Sequence, residues 1–120
     1  MNTPLVVILF SWACHLSGYV SDDIPEIQFK PHAFFVEHVC GGRECSVEGW
    51  YNDKGIIYID EQHKDMNSFA PSLVVHEMVH YLQPKDMDSC ERERQAYSVQ
   101  NLYIMEALAS INVVMPKVCS

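Results

Sequence analysis

Leu73-Val74-Val75-His76-Glu77-Met78-Val79-His80-Tyr81-Leu82 is the stretch that decides how this chain folds. Its residues are apolar nearly all round a helix, Pro71 suits a first helical turn, and Pro84 stops the segment. A helix of that kind is buried. It nevertheless carries His76, Glu77 and His80, which are costly to bury without partners. On a helix, positions i and i+4 lie one above the other, about 5–6 Å apart at Cβ, so both imidazoles reach one ion. Glu77 is rotated by about 100° from His76, too far round for a third ligand but able to contact a water on that ion. Six His in 120 residues make this His-Glu-x-x-His spacing rare by chance, and every intervening and flanking residue is uncharged.

A third ligand is expected downstream. From Asp88 or Ser89 to about Ala109 the pattern reads as one long helix. At about 100° per residue, Ala96, Tyr97, Gln100, Ile104, Ala107, Leu108 and Ile111 fall within about 60° of Glu93. Glu93 thus sits at the centre of the inward stripe, where a carboxylate wants a cation. Glu91 falls on the solvent face, helped by Arg94 or Gln95. Two His, one Glu and a water make a tetrahedral zinc set, so Zn2+ held by His76, His80 and Glu93 is the expected cofactor. Cys90, at about 60° from Glu93, is a rival ligand, a disulfide partner or plain core.

Upstream of residue 66 the period is shorter. Asp22 to Phe29 reads as a short helix with acidic residues at its start and Pro31 beyond its end. Ala33 to Cys40 is strand-like, with Phe34, Phe35, Val36 and Val39, and Gly41-Gly42 is a turn. Val47 to Tyr51 and Ile56 to Ile59 read as two more strands around the turn Asn52-Asp53-Lys54-Gly55. The acidic residues after Ile59 suit an exposed edge strand that could hold an extended peptide. The expected class is α+β: a small three-stranded sheet, the helix bearing the two histidines, and a following glutamate helix.

Residues 1–20 contain an apolar run from Leu5 to Ala13, long enough for an export signal and too short to span a membrane. No Lys or Arg precedes it. The reading adopted is a signal at 1–20 followed by one domain at 21–120, secreted or periplasmic; the rival is a buried first element of the domain. A lipid anchor at Cys14 is a minority reading. Cys40, Cys45, Cys90 and Cys119 then form an even set, expected to pair in an exported chain, with Cys40–Cys45 closing the hairpin loop. The length allows one domain. Net charge is −8 and the eight Lys and Arg are scattered, so nucleic acid is not an expected partner.

The segment from Leu73 to Leu82, followed by Glu93-Arg94-Gln95-Ala96-Tyr97, resembles the gluzincin metallopeptidases, and its compactness is similar to their small single-domain minigluzincin form. The resemblance covers about residues 56–100. It implies a zincin-like fold with an edge strand above the active-site helix, His76, His80 and Glu93 on zinc, and Glu77 as general base. The expected activity is zinc-dependent hydrolysis of a peptide bond in a peptide or protein substrate. Tyr97 stands where the family has an Asp orienting a ligand histidine. Tyr97, Tyr103 and His63 are unranked candidates for stabilising an oxyanion. Two other readings stay open: a deformylase-like hydrolase with Cys40 or Cys45 as third ligand, and a catalytically silent zinc-binding protein.

Overall fold

A computed structural model describes residues 3–116. The elements run α1 (Thr3–Ser17), β1 (Glu26–Lys30), α2 (His32–His38), β2 (Gly49–Tyr51), β3 (Ile56–Asp60), a single 3-10 turn (Glu61–His63), α3 (Ala70–Leu82) and α4 (Ser89–Ala107). The chain is an α+β domain with a mixed three-stranded sheet. α3 carries Pro71 in its first turn as expected, and α4 is capped by Asp88, whose side chain accepts the Glu91 N–H at 3.2 Å.

The strands lie in the order β1-β3-β2. β1 is parallel to β3, from Glu26 opposite Ile56 to Lys30 opposite Asp60, and β2 is antiparallel to it, with Trp50 opposite Tyr58. Ile56 to Ile59 is therefore the central strand and not the expected edge. Its Ile57 and Ile59 are fully buried in one cluster with Val74, Val75, Met78 and Val79 of α3 and with Ala96 and Val99 of α4. The edges of the sheet are β1 and β2.

Two local readings are corrected. Residues 22–29 contain the strand β1 and no helix; Glu26-Ile27-Gln28-Phe29-Lys30 alternates polar and apolar, and Ile27 and Phe29 pack on the core. Residues 33–40 contain the helix α2 and no strand. A parallel β1–β3 pair needs a crossover, and α2 lies within it. It buries Phe35 and sets Phe34 against Tyr58, with ring centroids 4.8 Å apart. Covering the aromatic face of Trp50 and Tyr58 outweighs the intrinsic strand preference of that run.

The Cys40–Cys45 disulfide forms, with Cα atoms 6.4 Å apart, and the loop it closes turns through Gly41 and Gly42 at φ 64° and 87°. Cys90 is disulfide-bonded as well, and Cys119 lies outside the described residues. The thiol of Cys14 is free. α1, the segment read as an export signal, packs on α3 and α4 and buries Leu9, Phe10 and Ala13.

His32 clips the disulfide loop to the sheet. Its Nδ1 lies 2.9 Å from the buried Asp60 carboxylate, and its Nε2 lies 2.8 Å from the Cys45 carbonyl and 3.0 Å from Glu44. All three partners are acceptors, so only the imidazolium donates to both sides. Asp60 first, then Glu44, raises the His32 pKa above its ordinary 6.5. The pKa of the folded protein exceeds that of the unfolded chain, so the clip contributes fully below the unfolded value and is lost as pH rises through the folded one. Denaturant melts of wild type and His32→Ala should therefore differ most in mildly acidic buffer and converge in alkaline buffer. A gap that widens with pH would contradict the ion-pair account.

Candidate metal centre

His76 and His80 lie one turn apart on α3, with ring centroids 4.9 Å apart. Glu93 enters from α4. Its carboxylate lies 3.4 Å from His76 Nε2 and closer still to His80 Nε2. The three ligand atoms lie within 4.8 Å of one another and could hold a metal ion. Ligands about 2.0–2.2 Å from a tetrahedral ion stand roughly 3.3–3.6 Å apart, a spacing the His76–Glu93 pair already has. Glu91 points to solvent and pairs with Arg94, as its place on the helix implies. The two ring nitrogens beside Glu93, His76 first, hold its carboxyl well below the usual carboxylate range. Burial works against a charged His80, but Glu93, Glu77 and Gln83 together outweigh it, and its pKa lies above the ordinary histidine value.

The far side of each imidazole meets a glutamine. His76 Nδ1 lies 2.9 Å from Gln100 Oε1, and His80 Nδ1 lies 2.9 Å from Gln83 Oε1. In the sequence Gln100 is visible only as a member of the inward stripe, and Gln83 not at all. A signal existed for Gln100, a polar residue about 20° from Glu93 on an otherwise apolar face. None existed for Gln83, which follows α3 and meets His80 only through the way the chain leaves the helix. Tyr97 does not take the orienting role; its ring packs T-shaped with His76, centroids 4.6 Å apart, and burial first of all raises its pKa.

Glu77 is 6% exposed and wedged against β2. A Cβ added at Gly49 would come 3.2 Å from Glu77 Oε2 and 3.3 Å from its Cγ, so glycine leaves room for the carboxylate. Burial raises the Glu77 pKa, opposed by the charges of His76 and His80 and by a hydrogen bond from the Tyr51 N–H. The β2 ladder explains that contact. The Glu48 carbonyl accepts from Asp60 N–H at 2.8 Å and Asn52 N–H donates to the Ile56 carbonyl at 3.1 Å, so Glu48 and Asn52 turn towards β3. By alternation Gly49 and Tyr51 turn their backbone groups outward, over the cleft.

The cleft has a volume of about 930 Å³ and is lined by His76, Glu77, His80, Glu93 and Tyr97, with β2 along one side. His63 also lines it and is tied to Glu48 at 3.2 Å. Tyr103 does not; it is core, edge-on to Trp12 with centroids 5.9 Å apart. Arg92 braces the end of α3 by donating to the Pro84 carbonyl at 3.0 Å and the His80 carbonyl at 3.4 Å. The chain matches no protein-family model, no curated protein and no solved structure.

Proposed function

We propose that this protein is a zinc-dependent peptide-bond hydrolase of zincin-like architecture. One observation carries the reading: two histidines and a glutamate converge at the floor of an open cleft, with the buried carboxylate of Glu77 beside them. The donor set of two imidazole nitrogens and one carboxylate suits zinc, with a fourth position left open. His76, His80 and Glu93 would hold the ion. When bound, zinc supplies Lewis acidity and lowers the pKa of a coordinated water to about 7.

Glu77 takes the proton from the attacking water and passes it to the leaving amine. The outward Gly49 groups and the Tyr51 carbonyl bind an extended peptide backbone along β2 and orient the scissile carbonyl over the cleft floor. The net charge of −8 favours neutral or basic peptides. The Cys40–Cys45 disulfide supports an oxidising compartment, hence a secreted or periplasmic protein. No helix among the described residues is long and apolar enough to cross a membrane.

The deformylase-like alternative loses support because its nominated ligands, Cys40 and Cys45, are joined to each other and offer no thiolate. Zinc titration of three proteins tests the ligand set. Glu93→Ala should weaken binding by more than the roughly 10–100-fold that loss of an orienting partner costs, while Glu91→Ala binds as wild type. Equal affinity in both variants would remove Glu93 from the site. Peptide cleavage that survives full removal of metal by a chelator would overturn the zinc-dependent reading.

A further inference from the structure

Both histidines of the centre are orientable rings with two chemically distinct nitrogens, and only one tautomer leaves Nε2 free to bind an ion. The hydrogen bonds behind them have a direction that can be followed from a fixed end. Ser72 Oγ donates to the Phe69 backbone carbonyl at 2.7 Å. A carbonyl only accepts, so the Ser72 oxygen receives the Gln100 amide N–H at 3.2 Å. Gln100 therefore turns its oxygen to His76, and His76 Nδ1 must carry the proton. The second relay ends in the same way. Gln83 Nε2 donates to the Arg92 carbonyl at 2.9 Å and to Gln95 Oε1 at 2.9 Å, leaving its oxygen to accept from His80 Nδ1–H.

Ser72, Gln100 and His76 of the first relay are buried, and Gln83 is 5% exposed, so water offers these side chains no easy substitute. The two relays are separate. The first runs within α3 and α4 from Phe69 to Gln100; the second joins the residue after α3 to the Arg92 turn of α4. Each also ends in an uncharged amide. An amide fixes a ring without adding negative charge beside the ion, whereas a carboxylate in its place would make the imidazole a stronger donor.

We propose that Gln83 and Gln100 are the positioning residues of the metal centre, each holding one histidine as its Nδ1–H tautomer so that Nε2 faces the ion. The proposal rests on the metal reading above, but its central claim is measurable without metal. In metal-free wild type each Nε2 faces the Glu93 carboxylate, an acceptor that competes for the ring proton, and Glu93→Ala removes it. The 15N shifts of the imidazoles should therefore be recorded in metal-free Glu93→Ala protein in alkaline buffer, where both rings should carry their proton at Nδ1. In that background Gln100→Leu should release His76 alone and Gln83→Leu should release His80 alone, the other ring staying unchanged in each case. Zinc affinity, measured with Glu93 in place, should fall roughly 10–100-fold in each leucine variant. Gln100→Glu keeps an acceptor oxygen at His76 and should restore both the tautomer and the affinity, which a packing defect would not allow. If Gln100→Leu does not fold, the Gln100→Glu and Gln83→Leu proteins decide the question.

Leucine variants that keep both tautomers, or that lose affinity with the tautomers unchanged, would overturn the proposal. So would Nε2-protonated rings in the Glu93→Ala protein. Expected tautomers there, with no zinc uptake by the wild type, would instead sink the metal reading and leave the two relays standing.

Discussion

Glu77→Gln should lower peptide turnover by roughly 10²–10⁴-fold, the usual contribution of a positioned acid–base group, while zinc content stays at the wild-type level. The substitution suits the question because it changes the charge and little else. A glutamine fills the same wedge beside Gly49 and keeps an oxygen for the Tyr51 N–H. The metal set is untouched, since Glu77 lies off the line of His76 and His80 and does not belong to the cluster of ligand atoms. What is removed is a carboxylate whose pKa burial has raised, and which therefore holds a transferred proton more readily than an exposed glutamate. Assays should compare initial rates on one unstructured peptide at equal zinc content. Undiminished cleavage would remove Glu77 from the proton transfer. Loss of zinc together with cleavage would make Glu77 a ligand.

A chain beginning at residue 21 should be far less stable than the full chain, because α1 fills the groove between α3 and α4. Leu9 and Phe10 are 1% and 5% exposed, Phe10 meets Tyr81 edge-on with ring centroids 6.0 Å apart, and Trp12 meets Tyr103. Burying a Leu or Phe side chain contributes about 1.5–3 kcal/mol each, so these two alone supply roughly 3–6 kcal/mol. A domain of this size has a total stability of about 5–15 kcal/mol. The truncated chain should melt much earlier and bind an apolar dye along the uncovered α3–α4 face. The leader reading and the packing make opposite demands on residues 1–20. A truncated chain with the full melting temperature would establish α1 as dispensable. Sequencing the N-terminus of exported protein, and counting thiols, gives an independent readout: a retained α1 brings the reactive thiol of Cys14, and a removed one leaves no free thiol among the described residues.

The legible parts of this protein are those whose geometry is local. The spacing of His76 and His80, the stripe position of Glu93 and the outward turn of Glu91 all follow from about 3.6 residues per helical turn, and the structure keeps each of them. The Cys40–Cys45 loop is equally local, since its ends are held near each other by two glycines. Glu26 to Lys30 also alternates in plain view, but the acidic residues before it and Pro31 after it mimic the start and stop of a helix. Tertiary structure alone decided the rest. Phe34 and Phe35 suit a strand in isolation; they are helical because Trp50 and Tyr58, far along the chain, present an aromatic face that α2 covers. β3 is central and β2 the cleft edge because pairing depends on partners brought together by the crossover, and each strand taken singly reads the same in either place. Gln100 meets His76 across 24 residues, and Gln83 reaches both Arg92 and His80 only when α3 and α4 are packed. Helical periodicity tells which face a side chain is on. Which nitrogen of a histidine carries its proton is set by what the facing helix brings to it.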